Sequence, residues 1–374
     1  MVGGTGLTAI ERWSDAWADL HARIADRFAR SEARERAGRY LVGLLGRVER
    51  KNGWQLAEAI GEVGPRGVQR LLSAATWDAD GVRDDLRDYV VDHLGDAATG
   101  VLIVDETGFL KKGKKSCGVA RQYTGTAGDT VNCQVGVFLA YAAQEGAAFI
   151  DRALYLPREW TDDRARRTEA GVPEDTRFAT KIELAQRMLA RAFEEDVPAR
   201  WVVADAFYGR SHQLRRWLEE CGRPYALMIP KTTAVQYQGR RERAEQLGER
   251  LCPDPAHGPW VCLALSDECA AGMRRWLLVR CDAEDPEEHA YFLAFGPEET
   301  TEAELVRVCT TRWQIEEGFA QTKGEVGLDQ YEVRKWEAWH RHATLCLLAH
   351  AYLIVIRQEA QREERGQKGA PTPA

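Results

Sequence analysis

Two short apolar runs, each ending in an aspartate, constrain the fold more than any other feature of this sequence. The runs are VLIVD, which ends at Asp105, and WVVAD, which ends at Asp205. Continuous apolar runs of this length, rich in valine, are typical of strands that are buried on both faces of a sheet. In open α/β sheets, functional groups gather at the carboxyl ends of the strands. If the two strands are neighbours, the sequence therefore predicts that the two carboxylates converge.

The segments around these runs have alternating strand and helix patterns. NCQVGVFLAYAA, AAFIDRALYLP and YALMIP have the pattern of strands, whereas KIELAQRMLARAFEE and SHQLRRWLEECG have that of helices. This order predicts an α/β core with parallel strands. We assign the core to residues 97–230 and 300–357, the second of which is helical.

The remaining regions differ from the core in composition. Residues 1–96 have apolar residues at helical spacing and predict an all-helical N-terminal domain. Residues 231–299 contain WVCLAL, RRWLLVRCD and AYFLAFG between turn-forming segments, and predict an antiparallel β insertion. The polar end of the chain, residues 358–374, is typical of a disordered tail.

A pair of short helical patterns in the N-terminal region could bind DNA. In GWQLAEAIGEVGPRGVQRLLSAATW the patterns are separated at Gly64 and Pro65, and the second helix presents Arg66 and Arg70. The pair is either a helix-turn-helix motif that contacts DNA through these arginines or a helical hairpin with a solvated face.

A third carboxylate comes from the segment RWQIEEGFAQTK near the C-terminus. Arg312, Glu316 and Lys323 recur at one-turn and two-turn intervals, so they share one side of a helix. The set is either an exposed salt-bridge ladder or a carboxylate held between two cations for chemistry. In the second case the cations would contact phosphates. Mg²⁺ would suit the carboxylates, because it prefers their oxygens and keeps positions open for phosphate and water.

Charge and composition limit the partners of the chain. The 374 residues are 44% hydrophobic and 29% charged, as in a globular protein, and the formal net charge of −7 argues against a nucleic-acid partner. A local basic segment, FLKKGKKSCGVARQY, weakens that argument, because Lys111, Lys112 and Arg121 could grip a DNA backbone. The same segment could equally be a solvated loop.

The cellular location is predicted from features that the sequence lacks. No apolar run approaches the roughly 18 residues that cross a bilayer, and the N-terminus has no signal-peptide pattern. The nine cysteines include no CxxC pair and their number is odd, which predicts a reduced, cytoplasmic protein without a membrane partner. His340, His342, Cys346 and His350 have near-helical spacing that could suggest zinc, but without a clean ligand pattern they favour buried helix packing and phosphate contacts.

Three motifs in this order, VDETGF, ADAFYG and RWQIEEGFAQTKGEVGLDQYEVRKWEAWHRH, resemble the DDE transposases of bacterial insertion sequences. The resemblance is to the IS-four type, and closest to its IS-seven-oh-one branch. It implies a ribonuclease-H-like mixed sheet flanked by helices. It also implies that Asp105, Asp205 and Glu316 are the catalytic residues and hold two Mg²⁺ ions, with Mn²⁺ as a substitute. Glu317 would replace Glu316 if the register were shifted by one residue.

The finer details of the resemblance include one departure. The family's C-terminal signature has arginine, glutamate and lysine at the spacing of Arg312, Glu316 and Lys323, but Cys309 stands at the position of its tyrosine. The departure removes an aromatic contact to phosphate or DNA and no metal ligand. Tyr208, with the glycine after it, matches the Tyr-Gly that follows the second aspartate in the family and is a candidate DNA contact.

The resemblance implies a transposase that acts on double-stranded DNA. Such an enzyme would cut at the terminal inverted repeats of its element and join the freed 3′-hydroxyl to target DNA. A homodimer is expected, because two ends must be held together, and the protein would be nucleoid-associated when bound. Two alternatives remain: a domesticated DNA-binding protein that no longer cuts, and a stand-alone metal-dependent nuclease that does not join.

Overall fold

The structure, a computed structural model, describes residues 4–252, 259–281 and 289–368. Of residues 4–10 and 366–368 it describes the backbone alone. It consists of N-terminal helices, a large mixed sheet and three C-terminal helices. None of the described helices is long and apolar enough to cross a membrane.

The N-terminal region is helical, as predicted. Its helices are α1 (Gly4–Arg23), α2 (Ser31–Leu45), α3 (Gly53–Ala59), α4 (Arg66–Ser73) and α5 (Ala79–Leu94). Side chains cap two of them: Asn52 accepts hydrogen bonds from the first turn of α3, and Asp78 does so for α5. Pro65 immediately precedes α4, where its fixed φ suits a helix start.

A nine-stranded sheet forms the centre of the molecule. Its strands are β1 (Val101–Leu110), β2 (Ala120–Thr124), β3 (Asp129–Ala143), β4 (Gly146–Leu154), β5 (Trp201–Ala204), β6 (Tyr225–Ile229), β9 (Trp260–Ala264), β10 (Met273–Arg280) and β11 (Ala290–Pro297). A separate two-stranded hairpin is formed by β7 (Ala234–Tyr237) and β8 (Arg240–Arg243). The order in the main sheet is β2-β3-β1-β5-β6-β11-β10-β9, and β4 pairs with β3.

The pairing around β1 gives the sheet its mixed character. β1 is antiparallel to β3 and parallel to β5, which is in turn parallel to β6. Helices connect the parallel strands: α6 (Arg158–Thr161), α7 (Arg164–Ala170) and α8 (Lys181–Glu194) precede β5, while α9 (Ala206–Gly209) and α10 (His212–Glu220) follow it. The predicted mixed sheet flanked by helices, consistent with a ribonuclease-H-like fold, is confirmed.

Three of the five β strands between residues 231 and 299 join the main sheet. The three predicted strands are present as β9, β10 and β11, and they are antiparallel to one another. β11 also pairs with β6, so these strands extend the central sheet beyond its last parallel strand. This pairing gives β6 a neighbour on a side that would otherwise be an open edge. In the sequence, helix α11 (Ala244–Leu251) comes between the small hairpin and β9.

Three helices complete the chain: α12 (Glu302–Thr311), α13 (Trp313–Val326) and α14 (Trp336–Lys368). α13 contacts β1 and β4, and α14 contacts β4 as well as α5, α4 and α2. The N-terminal helices therefore pack on the same long helix as the sheet. α14 reaches Lys368, and the last residues of the predicted tail, 369–374, lie outside the described residues.

The expectation that all cysteines are reduced is wrong in this structure. Cys252, at the end of α11, and Cys281, at the end of β10, form a disulfide with their Cα atoms 6.1 Å apart. The two residues are 29 positions apart in sequence, so a search for closely spaced pairs could not find them. The pairing depends on how α11 packs beside the sheet.

Candidate active site

The two aspartates predicted to converge occupy equivalent positions on neighbouring strands, but only Asp205 lies at a strand end. β1 continues from Asp105 to Leu110, so the expectation that Asp105 ends its strand is wrong. β1 and β5 pair in step, from Val101 with Trp201 to Val104 with Ala204. The residues that follow in this register are Asp105 and Asp205. Both residues are half-buried, and each follows four buried strand residues. The parallel register thus brings two carboxylates to one edge of the sheet, as the apolar runs predicted.

The turn after β5 fixes the orientation of Asp205. Its Oδ1 accepts hydrogen bonds from the backbone N–H groups of Phe207 (2.9 Å) and Tyr208 (3.3 Å), so it caps the short helix α9. At Gly209 any side chain would collide with the carbonyl oxygen of Met228 on β6. The glycine therefore lets α9 pack directly on the sheet, which holds the capping aspartate in place.

Tyr208 is fully buried in this arrangement. Its hydroxyl has no hydrogen-bond partner among the described residues, and burial together with the nearby Glu106 raises its pKa well above the usual value. A direct contact between Tyr208 and DNA would need this side chain to move. The fold gives it a packing role beneath the aspartates.

Burial and mutual repulsion disfavour two full charges on the aspartates. Burial and the charge of Asp205 raise the pKa of Asp105 to about 8. Burial and the charge of Glu106 also raise the pKa of Asp205. The positive charge of Arg312 acts in the opposite direction on both groups. The nearby positive charge of Arg312 therefore does not fully compensate the negative charge of the two carboxylates.

The third predicted acid lies on α13 beside this pair. Arg312 is buried and donates a hydrogen bond of 2.8 Å from Nη1 to Glu316 Oε1, one helical turn away. The Glu316 side chain is 43% exposed. Within the described ranges, the oxygens of Asp105, Asp205 and Glu316 do not all lie within 4.8 Å of one another. A single ion bound by all three acids would therefore require a rearrangement of these side chains.

Lys323 reaches the same strand as the first aspartate. Its Nζ donates to Thr107 Oγ1 (2.7 Å) and lies 3.4 Å from Thr126 Oγ1. Thr107 follows Asp105 by two residues, so both side chains project from one face of β1, about 7 Å apart along the strand. Burial lowers the pKa of Lys323. The helix α13 thus places a cation on each side of Glu316, as its spacing predicted.

Two charged residues near the pair were not identified from the sequence as site residues. Glu106 Oε1 accepts a hydrogen bond of 2.7 Å from Lys181 Nζ, at the start of α8, while its Oε2 is buried without a partner among the described residues. Glu106 follows Asp105 directly in the VDET motif. Because neighbouring residues of a strand point to opposite faces of the sheet, this pattern did not assign Glu106 to the site. The position of Lys181 depends on the tertiary packing of α8.

The basic segment after β1 is divided between packed and exposed side chains. Lys111 donates to the carbonyl of Tyr331 (3.2 Å) and lies 3.5 Å from the centre of its ring, and burial lowers the pKa of Lys111 to about 8. Lys112 and Arg121 are exposed. Arg121 donates to the backbone of Thr130 across the β2–β3 pair. Two of the three predicted contacts thus remain accessible to a DNA backbone.

The arginines of α4 face solvent. Arg66 and Arg70 are both exposed, and α4 packs against α2, α3 and α14 through its opposite face. Trp54, on α3, is 61% exposed. The α3–α4 pair therefore presents a surface with two cations. This surface is compatible with both a helix-turn-helix motif and a helical hairpin.

The other C-terminal candidates lie in the core. Cys309 is 1% exposed and His342 is 1% exposed. His342 Nδ1 is 2.8 Å from the hydroxyl of Tyr40, and its ring also contacts Cys346. These are packing contacts between α14 and the N-terminal helices, in agreement with the preference for buried packing over zinc.

The acid pair has the chemistry of a divalent-metal site. Carboxylates that are forced together with insufficient positive charge are stabilised by a hard cation, and Mg²⁺ and Mn²⁺ are bound through such oxygens. The buried, unpartnered Glu106 Oε2 adds a further negative group close to the pair. The residues present therefore fit a metal ion held by Asp105 and Asp205.

Two comparisons show which known proteins this chain is similar to. The sequence model of the DDE superfamily endonucleases matches residues 23–276. The matched range contains Asp105 and Asp205 but ends before Glu316. A probable transposase for insertion sequence element IS701, from Microchaete diplosiphon, is 25% identical over 303 residues, which cover 79% of this chain and 76% of that protein.

Proposed function

This chain belongs to the DDE superfamily of endonucleases, and on that premise we propose that it is a DNA transposase. It cuts DNA at the ends of a mobile element and joins the freed 3′-hydroxyl to target DNA. The similarity to the probable IS701 transposase supports the choice of transposase within the superfamily. The observation that carries the proposal is the register between β1 and β5, which aligns Asp105 with Asp205.

In this proposal Asp105 and Asp205 hold the catalytic metal, and Glu316 completes the site. A bound Mg²⁺ would polarise the scissile phosphodiester and lower the pKa of the attacking water or hydroxyl. The capping bonds to the turn after β5 keep the second aspartate in a fixed orientation, so the site is preorganised. Glu316 would be the third ligand after a rearrangement of its side chain, which accepts a hydrogen bond from Arg312.

Two cations on α13 serve the phosphate. When Glu316 leaves it, the buried guanidinium of Arg312 is free to bind a phosphate oxygen with two donors. Lys323 approaches the same edge of the sheet as a point charge near Thr107. The pair would orient the DNA strand and offset its charge during cleavage.

DNA outside the active site is bound by exposed arginines and lysines. Arg66 and Arg70 on α4 are proposed to contact the terminal inverted repeats, and Lys112 and Arg121 the backbone near the active site. Their exposure supports such contacts despite the net negative charge of the chain. A homodimer would hold two element ends together for the joining step.

The test uses the full chain and DNA duplexes that carry the inverted repeats found beside its coding region. We expect strand cleavage at the repeat ends with Mg²⁺ or Mn²⁺ and none with EDTA, followed by products in which the 3′ end is joined to a target plasmid. Metal-dependent cleavage without joined products would indicate a nuclease. Binding without cleavage would indicate a DNA-binding protein.

Glu317, which directly follows Glu316, provides a matched control for the role of Glu316 as the third ligand. Glu316→Gln is expected to reduce cleavage by about a thousandfold, because it removes a metal ligand. Glu317→Gln, the same change on the next exposed residue of α13, is expected to leave cleavage within about twofold. The reverse result would assign the third acid to Glu317, and an effect from neither would remove α13 from the metal site.

A further inference from the structure

Three potential metal ligands meet at the end of the sheet extension, on elements distinct from those that carry the acid pair. Cys252 follows α11, Cys281 follows β10, and His289 immediately precedes β11. One ligand atom from each residue lies within 4.8 Å of the other two. All three residues are half-buried, so a small ion from solvent can reach them.

The strand register accounts for two of these positions. β10 and β11 are antiparallel, and their last pair is Arg280 with Ala290. The next residues in this register are Cys281 and His289, which therefore face each other across the two strands. The His289 ring also lies 6.5 Å from the ring of Tyr291.

The third position is fixed by backbone hydrogen bonds. The N–H of Cys252 donates to the carbonyl of Gly248 in α11 (2.8 Å), and the N–H of Cys281 donates to the carbonyl of Pro259 beside β9 (2.7 Å). The Cα atoms of the two cysteines are 6.1 Å apart. These bonds anchor the two cysteines to different elements, and the disulfide joins their sulfur atoms.

We propose that the reduced protein binds Zn²⁺ through the thiolates of Cys252 and Cys281 and the imidazole of His289. Two soft sulfur ligands and one imidazole suit Zn²⁺, which adopts tetrahedral coordination and accepts water as its fourth ligand. The acid pair, which offers oxygen ligands alone, suits Mg²⁺ instead. In this proposal the two sites bind different metals, because their ligand atoms differ.

The disulfide and the zinc site are alternative states of the same cysteines. Two molecules of a small thiol reduce the disulfide: they supply two electrons and two protons, yield two protein thiols, and become one small-molecule disulfide. Binding of Zn²⁺ then releases one proton from each cysteine thiol, because thiolates are the ligands. Either state ties the end of α11 to the β10–β11 hairpin.

The proposal is tested on the full chain, which is purified with a phosphine reductant and stripped of metal. Titration with Co²⁺ is expected to produce a thiolate-to-metal charge-transfer band that saturates at one ion per chain and disappears when Zn²⁺ is added. The acid pair cannot contribute to this band, since the transition requires sulfur. Oxidation that restores the disulfide is expected to abolish it.

Three variants and one matched control locate the ligands. Cys252→Ser and Cys281→Ser should each abolish the saturating band, and His289→Ala should weaken binding by at least about tenfold. Cys262→Ser, which changes a half-buried free cysteine on the adjacent β9, should leave the band unchanged. Thermal melting of each variant, in comparison with the wild type, identifies any that fail to fold.

Two results would overturn the proposal. The first is a reduced wild-type protein that shows no charge-transfer band and retains no zinc by elemental analysis. The second is a disulfide that stays intact, by mass spectrometry, in millimolar thiol. Neither result bears on DNA cleavage at the acid pair, so the failure of this proposal is distinct from that of the proposed function.

Discussion

Two sets of carboxylates on the central sheet are neutralised to different extents. Asp151, on β4, is 4% exposed and accepts hydrogen bonds from two arginines: Arg83 at 3.3 Å, and Arg191 at 2.8 and 3.0 Å. These bonds tie β4 to α5 and α8. Here a buried carboxylate is fully compensated and serves to join elements.

The acid pair on β1 and β5 lacks such compensation. Arg312, whose charge favours ionised Asp105 and Asp205, makes its hydrogen bond to Glu316 instead. The difference separates two uses of a buried acid. A carboxylate with its own guanidinium partners stabilises the fold, whereas two carboxylates left with excess charge would, in the proposed function, bind a cation.

The largest effect should come from Asp105→Asn. We expect cleavage to fall by more than about a thousandfold, because a metal ligand is lost. The free energy of unfolding of the metal-free protein should stay the same or rise, because the change removes repulsion with Asp205. Cleavage assays and denaturant titration measure the two quantities. A large loss of stability would show that the pair contributes to the fold and would break the contrast with Asp151.

Asp151→Asn should have the opposite outcome. The change removes the charge shared by Arg83 and Arg191, although Arg83 keeps its bond to Asp84, and should lower the free energy of unfolding by about 2 kcal/mol. Cleavage per folded molecule should not change. As a control, Asp92→Asn removes an exposed ion pair with Arg23 and should cost less than about 1 kcal/mol. Equal costs for the two variants would contradict a structural role for Asp151.

Buried histidines extend the comparison to side chains whose neutral form is favoured by burial. Burial lowers the pKa of His342 to about 4 and that of His350 to about 4. The unfolded chain, with pKa values near 6.5, therefore binds protons that the folded protein does not. Stability should be fully retained above about pH 6.5 and should fall as the pH decreases toward 4, by about 1.4 kcal/mol per pH unit for each histidine.

Denaturant titrations between pH 7 and pH 5 measure this slope. His342→Gln should reduce it, although the variant can be less stable at every pH. The exposed His212 on α10 provides the control, and His212→Gln should leave the slope unchanged. A pH-independent stability in this range would show that the folded and unfolded chains bind protons equally, and would contradict the lowered pKa values.

The sequence predicted those parts of the site that depend on local patterns. Apolar runs identified the paired segments of β1 and β5 and the aspartate that follows each run, and helical spacing identified the pairing of Arg312 with Glu316. These features depend on periodicity within a single element. The relation between the elements was inferred only from the general rule about parallel strands.

Features that depend on long-range packing escaped prediction. The pairing of β11 with β6, which joins the insertion to the main sheet, has no signal in either strand alone. The burial of Tyr208 follows from the close contact of Gly209 with β6, which sequence spacing cannot reveal. The bonds around Asp151 connect residues that are far apart in sequence and likewise left no local pattern.

The smallest expected effect on stability comes from a cation that faces solvent, in contrast to the charged groups inside the protein. Arg66→Ala, on α4, should leave the free energy of unfolding within about 0.5 kcal/mol, because the side chain is exposed. If Arg66 contacts a DNA phosphate, affinity for end DNA should fall severalfold, and the slope of log K against log salt should decrease by about one. Arg187→Ala, an equally exposed change on α8, should alter neither quantity. If both variants bind DNA alike, α4 does not contact DNA, and the α3–α4 pair is a helical hairpin with a solvated face.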